Sequence, residues 1–365
     1  MKDIKEIRKD INVIDEEMAA LFEKRMKLAK DIAQYKIANG LDIYDAKREE
    51  EIISHNLALI EDDSIKSYYI NFIKSVMGES KKYQSVLFNG LKVAYSGVPG
   101  AFAYIAAKKM YPGSEYISYS NFESAYKACE DGDVDVVILP IENSFAGDVG
   151  VVMDLLFQGT LKINKMYDLE VVQNLIGLKG SRKEDIKTVI SHPQALGQAQ
   201  DYILKNGYQQ IEFANTALAA TEIKNRNDKS LAAIASKETA ELYDLEILDS
   251  HINSSTYNST RFASLSRISR MPDTNVKMGE HFILVYTVKN QAGALAETLN
   301  IIGAHGYNMR TVRSRPMKEL MWNYFFFVEV EGNINTSDGA DVLNELTTVC
   351  DRLKLVGTYY DFKDK

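Results

Sequence analysis

The chain has 365 residues, 45% hydrophobic and 26% charged, the make-up of globular protein with length for two or three separate cores. A net charge of -8 leaves no basic surplus to displace counterions from a nucleic-acid backbone, so nucleic acid is excluded as the main partner. Cys129 and Cys350 stand far apart with no CxxC spacing, which argues against a disulfide framework or a zinc knuckle.

The opening MKDIKEIRKD is charged and helical in pattern, unlike a signal peptide, and no apolar run reaches membrane-spanning length. A cytoplasmic protein with no membrane partner is the expectation. Before Gly78 the chain holds one glycine, Gly40, and no proline, and its periodicity is helical. Ile4, Ile7, Ile11, Ile14, Met18 and Leu21, then Leu28, Ile32 and Tyr35, fall on a and d positions of a heptad. That pattern predicts a long helix packed along a partner helix.

The seam skips Arg25. A permanent cation at a buried seam position is costly unless something negative meets it, either a core carboxylate or an anionic ligand. Lys36 is roughly 20° around and about 16 Å along the helix from Arg25, so the two cations can close on one small dicarboxylate. Arg8 lies roughly 26 Å before Arg25 on a different face. It can serve such a ligand only in a second copy's site, which predicts an intertwined homodimer or higher homo-oligomer. Asp45, Arg48 and Glu49 share one face of a second helix, and Ser80 and Gln84 one face of a third.

The stretches IRKDINVIDEEMAALFEKRMKLAKDIAQYK and YDAKREEEII resemble the all-helical chorismate mutase family, and the resemblance assigns residues 1–88 to such a domain. It implies a ligand set of Arg8, Arg25, Lys36, Asp45, Arg48, Glu49, Ser80 and Gln84. It also implies the [3,3]-sigmatropic rearrangement of chorismate to prephenate, which needs no nucleophile and no cofactor. Cations clamp the compact substrate and stabilise charge developing on the ether oxygen. Glu49 would orient the substrate hydroxyl, while Gln84 and Lys36 would serve the ether oxygen.

From Leu91 to about Arg270, short β-rich runs (KVAYS, VDVVILP, IKTVIS, LAAIAS) alternate with amphipathic stretches, an α/β pattern. The Gly97–Gly100 turn lacks both the Lys-Ser/Thr of a P-loop and the GxGxxG spacing. Further on, VDVVILPIENSFAGDV drives a buried strand into Glu142-Asn143-Ser144, just before a helix start whose N–H groups can face an anion. ISHPQALGQAQDYI sets His192, Pro193 and Gln194 where a strand becomes a helix. FANTALAATEI puts Asn215 and Thr216 at a helix N-terminus, and YNSTRFASLS leads Asn258, Thr260 and Arg261 into a strand. Taken singly, Thr216 reads as a cap and His192 as a hydrogen-bonded turn residue. The five histidines show no metal-ligand spacing, so no metal is expected.

In this order GVPGAF, LPIENSFAGDV, SHPQALGQAQ, NTALAA and NSTRF resemble the prephenate dehydratase family over residues 91–270. The resemblance implies two α/β lobes, like those of periplasmic ligand-binding proteins, with prephenate between them. It implies a binding set of Glu142, Asn143, Ser144, His192, Gln194, Thr216, Asn258, Thr260, Arg261 and Phe262. Loss of CO₂ and the ring hydroxyl, driven by aromatisation, gives phenylpyruvate. The family's essential threonine falls on Thr260, whose hydroxyl is too weak an acid to ionise and would act by hydrogen bonding to the leaving oxygen. Glu142 is the alternative proton source if burial raises its pKa, and otherwise braces the turn. Arg261 pairs with a substrate carboxylate or with a carboxylate of its own lobe. Ala101 and Asn174 stand where relatives carry Thr and His.

After the polar break MPDTNVKMGE, residues 279–365 follow a βαββαβ order, which is ferredoxin-like. AGALAETLNIIGAHGYNMRTVRSRP resembles the ACT regulatory domain of these dehydratases. That implies L-phenylalanine as effector, held by Gly293, Ala294 and Leu295 at a helix start with Asn308, Ser314 and Arg315. Arg313 stands where the family carries Glu. The fold class expected is multidomain: an all-α domain, a two-lobed α/β domain and an α+β domain. The rival functions are an arogenate dehydratase and a non-catalytic ligand sensor.

Overall fold

The computed structural model describes residues 3–41, 46–255, 257–269, 280–317 and 323–360. The chain divides into two compact units, Met1–Leu91 and Lys92–Lys365.

The first unit is helical, with α1 (Ile4–Asn39), α2 (Ala46–Ala58) and α3 (Lys66–Asn89). Gly40 closes α1 in the left-handed region at φ 62, where a Cβ would be strained. The face of α1 that packs on α3 is not the heptad seam. Ala29 and Ala33 are 5% and 0% exposed, and their small side chains sit at the α1–α3 contact. Ile4, Ile11, Ile14, Leu21, Leu28 and Tyr35 of the seam are each at least 50% exposed. Within one chain the predicted helical partner of the seam is therefore not α3.

The second unit begins with β1 (Lys92–Ser96), α4 (Phe102–Met110), β2 (Glu115–Tyr119), α5 (Phe122–Asp131), β3 (Val136–Asn143), β4 (Gly147–Asp148), α6 (Gly150–Gln158) and β5 (Lys162–Glu170). A second lobe follows: β6 (Asn174–Gly177), β7 (Thr188–Ser191), α7 (Pro193–Gln198), α8 (Gln200–Asn206), β8 (Gln209–Glu212), α9 (Thr216–Arg226), β9 (Leu231–Ala235), α10 (Lys237–Leu242) and β10 (Glu246–Asp249). β11 (Ser259–Ser266) then returns to the first lobe. The C-terminal segment runs β12 (Glu280–Thr287), α11 (Ala294–Ala304), β13 (Asn308–Pro316), β14 (Tyr324–Glu331), α12 (Ser337–Val349) and β15 (Arg352–Tyr360), the βαββαβ order expected.

The second lobe's sheet has the order β10-β6-β9-β7-β8, with β7 parallel to both β8 and β9. In the first lobe β1 is likewise parallel to both β2 and β3. Strand direction of connection therefore reverses beside β1 and beside β7, and in open α/β sheets ligands settle at the carboxyl ends of such strands. Asn143 ends β3 and Ser191 ends β7. These strands are buried on both faces, and Val136, Val137, Ile138 and Leu139 are all 0% exposed, which is why they read as continuous apolar runs.

The C-terminal sheet is not a free-standing module. β15 joins β5 in parallel at Gly357 and Ile163, giving one ten-stranded sheet along β13-β14-β12-β15-β5-β11-β3-β1-β2, with β4 on β3. A Cβ on Gly357 would lie 2.2 Å from the Ile163 carbonyl oxygen, so only glycine permits this approach. Beside the junction, Phe157 of α6 stacks on Phe325 of β14 at 4.5 Å between ring centroids.

Candidate active sites

In the second unit Asn143 organises the end of β3. Its Oδ1 accepts from the backbone N–H of Phe145 at 3.0 Å and Ala146 at 2.9 Å, which fixes the amide with Nδ2 turned to β11. Nδ2 donates to Thr260 Oγ1 at 2.9 Å, Asn258 Oδ1 at 3.1 Å and the Ser259 carbonyl at 3.1 Å. Since Thr260 Oγ1 accepts this bond, its own O–H remains to donate. Across the cleft, Gln194 at the start of α7 donates to Asn143 Oδ1 at 3.4 Å, so both lobes meet at this amide. Ser144 is exposed at the turn. Its N–H donates to the Ser259 carbonyl at 2.9 Å and its Oγ accepts from the Ser259 N–H at 2.9 Å, locking the turn to β11.

His192 caps α7, its Nδ1 accepting from the Gln194 N–H at 3.2 Å. Burial pushes its pKa below the ordinary value, with Glu212 opposing, which favours the neutral ring able to accept that bond. Thr216 is 8% exposed at the start of α9, with Asn215 as the actual cap. The glycine-rich turn has a latch role that its sequence did not announce. Thr239 Oγ1 donates to the Gly100 carbonyl at 2.7 Å and Tyr243 OH to the Pro99 carbonyl at 2.8 Å, tying α10 of one lobe to the other.

For Glu142 and Arg261 the sequence leaves two roles open each, an acid or a brace of the turn and a partner of a substrate or a lobe carboxylate; in the structure both side chains are engaged by protein charges. The register pairs Asn143 with Thr260 and Glu142 with Arg261, and successive residues of a strand point to opposite faces. Arg261 donates to Glu329 Oε2 at 2.5 Å and Oε1 at 2.7 Å and to Tyr359 OH at 2.8 Å, with Asp168 of its own lobe at 3.5 Å. Glu142 accepts from Arg313, which also pairs with Asp148 at 3.0 Å. Burial works against the Arg261 charge, but the Glu329 carboxylate outweighs it and raises the pKa, while Arg261 in turn holds Glu329 below its ordinary range against burial. Phe262 of β11 is buried, at 2%.

A cavity of about 530 Å³ lies between the lobes on the side lined by Phe102, Leu169, Asn174, Ser236 and His251. Its rim mixes Lys109 and Lys237 with Asp168, Glu170 and Glu238. Three carboxylates make it a poor seat for a dianion.

In the first unit Arg25 and Ser80 meet. Arg25 Nη1 donates to Ser80 Oγ and lies 3.4 Å from the Val76 carbonyl. Burial alone lowers the Arg25 pKa, and no carboxylate among the described residues is paired with it. One turn along α3, Gln84 is 8% exposed and its Oε1 has no hydrogen-bond partner among the described residues, an orphaned polar atom of the kind a ligand satisfies. Glu49 is half-buried and pairs with Lys81 of α3 at 2.7 Å. Lys36 is half-buried, whereas Arg8 is exposed on α1. Arg48 is 66% exposed and pairs with Glu51 at 3.1 Å. Asp45 lies outside the described residues.

Residues 93–270 match the prephenate dehydratase family, 7–85 chorismate mutase type II and 281–348 the ACT domain. The bifunctional chorismate mutase/prephenate dehydratase of Aquifex aeolicus is 30% identical over 98% of this chain and 98% of its own. The chain belongs to the bifunctional chorismate mutase/prephenate dehydratase family. Arogenate dehydratase/prephenate dehydratase 1 of Arabidopsis thaliana is 30% identical over 74% of this chain and 72% of its own. The crystal structure of prephenate dehydratase in complex with L-Phe from Arthrobacter aurescens superposes with a TM-score of 0.68 at 25% identity, covering 74% of this chain and 90% of that one.

In this family member the expected effector residues do not all converge. Gly293 adopts φ 85 ahead of α11, and Ala294 and Leu295 open the helix. A small cavity of about 130 Å³ beside them is lined by Leu295, Asn290, Tyr324 and Phe326, the last paired with Ser314 across β13–β14. Asn308 sits at the other end of β13, donating to Glu331 at 2.8 Å, with the length of α11, about 16 Å, between. Arg315 is engaged elsewhere, gripping Asp154 of α6 with its nearer contact at 2.5 Å and the second at 3.0 Å. Sequence reasoning missed Glu329 and Tyr359 altogether. The available signal was a carboxylate inside the apolar run FFFVEV, a position that in a buried strand demands a cation.

Proposed function

We propose that the chain carries out two successive reactions, chorismate to prephenate in its first unit and prephenate to phenylpyruvate in the cleft of its second. The observation that carries the second is the Asn143–Thr260 hydrogen bond with Gln194 arriving from the opposite lobe. Asn143 loads one lone pair of the Thr260 oxygen and leaves its proton to the departing hydroxyl, which is the role a neutral alcohol can perform. Decarboxylation supplies the electrons that aromatise the ring as C–O bond cleavage takes the hydroxyl away. With Arg261 facing the C-terminal sheet, the substrate carboxylates are held by hydrogen-bond donors of the second lobe: Gln194 and the N-terminus of α9 at Thr216.

In the first unit Arg25, Lys36 and Gln84 hold the chorismate carboxylates and ether oxygen, and Glu49 orients the hydroxyl. Arg25, half-buried without a carboxylate partner among the described residues, supports this, and the orphaned Gln84 Oε1, an acceptor, leaves that side chain room to take the substrate hydroxyl while its Nε2 serves the ether oxygen. The exposed seam of α1 is the dimer face, covered by a second copy that also brings Arg8. L-phenylalanine acts at the α11 start with Ser314. No disulfide involves Cys129 or Cys350 among the described residues, which fits a cytoplasmic home.

The test is a coupled assay. Loss of chorismate ultraviolet absorbance followed by phenylpyruvate absorbance in alkali is expected, and neither signal would leave a ligand sensor. Turnover of arogenate in place of prephenate would assign the second unit to the alternative substrate. Sedimentation should give a dimer that Leu21→Asp converts to monomer.

A further inference from the structure

The rung that carries Asn143 and Thr260 is held from behind. One residue along the same two strands, Glu142 and Arg261 are register partners on the face opposite the cleft. Each is bound by a different strand of the C-terminal sheet. Arg313 of β13, 16% exposed, joins Glu142 to Asp148, which is itself paired with Glu142 across β3–β4. Glu329 of β14, 1% exposed, grips both terminal nitrogens of Arg261, and Tyr359 of β15 bonds to both members of that pair.

We propose that Arg313 and Glu329 are positioning residues of the dehydratase reaction, acting through Glu142 and Arg261 to set the separation of Asn143 and Thr260 across β3 and β11. The proposal rests on the reading of Thr260 given above. Neither Arg313 nor Glu329 reaches the cleft, so their effect enters through geometry. Moving Glu142 moves the next residue on a stiff strand, and a hydrogen bond of 2.9 Å at Thr260 tolerates little of that movement. Misplacement of a reacting group by about 1 Å is worth about a hundred-fold in rate. The chief loss falls on kcat, because the substrate-binding donors Gln194 and Thr216 belong to the other lobe and are untouched.

The test uses the full chain, with mutase turnover in the same preparation as internal control and rates referred to the folded fraction by circular dichroism. Arg313→Gln and Glu329→Gln are each expected to lower dehydratase kcat about ten- to hundred-fold, with KM within about three-fold and mutase kcat unchanged. Arg313→Lys, which keeps a charge within reach of Glu142, should recover most of the loss. Two glutamine variants that both keep dehydratase kcat within about two-fold of wild type would overturn the proposal. So would a loss that disappears on correction for folded fraction and that lysine does not rescue, since that marks a merely structural pair. A wild-type chain inert towards prephenate, while active on chorismate, would instead remove the Thr260 reading and the proposal with it.

Discussion

Glu142 and Arg261 stand opposite one another on neighbouring strands, yet each is neutralised by a third party, Arg313 and Glu329, and not by the other. Two charges for which the sequence leaves both a substrate and a structural role open are thereby engaged at the join between the dehydratase sheet and the C-terminal sheet. Beside Thr260 the side chains brought together are uncharged, Asn143, Asn258 and Gln194.

Thr260→Val should cut dehydratase turnover by about 10²–10³-fold, the usual cost of deleting one hydrogen bond made in the transition state. Thr260→Ser keeps the hydroxyl and should retain most of it. Steady-state kinetics on prephenate, with mutase turnover unchanged, checks both.

Arg25→Ala should do the reverse, lowering mutase kcat/KM by about 10²–10³-fold and sparing the dehydratase. The compact units separate at Leu91, so the damage stays in the first. Equal loss of both activities would mean that the substitution unfolds the chain.

Gly357→Ala places a methyl 2.2 Å from the Ile163 carbonyl, a backbone atom that cannot swing away. The expected cost is about 1–3 kcal/mol, the range for overpacking a tight contact. Urea unfolding should show a lower midpoint, and an unchanged midpoint would mean that β15 does not meet β5 as described.

Acid should weaken the dehydratase through His192. Its folded pKa lies below the ordinary 6.5 because burial disfavours the charged ring, so the folded state binds fewer protons than the unfolded one. The contribution of this neutral cap is fully present above the ordinary value and is lost as pH falls through the depressed one. The dehydratase pH profile should therefore show an acid limb that His192→Asn, an N-cap without a titrating ring, shifts or removes.

Much of this protein was legible in local sequence. Heptad spacing gave the long α1, apolar runs gave the buried strands, and the order of strand and helix gave the C-terminal βαββαβ segment, because each depends on residues within a few positions of one another. Asn143, Gln194 and Thr260 were legible for the same reason, as polar clusters at the ends of apolar strands. What α1 packs against, which face of β11 meets the cleft and which cation answers Glu329 were decided only by tertiary structure. The Arg313–Glu142 and Arg261–Glu329 pairs join residues 171 and 68 positions apart. Strand register, a long-range property, brought Arg261 to Glu329 and Tyr359, and no periodicity in the chain encodes the partner of a charge across so great a distance.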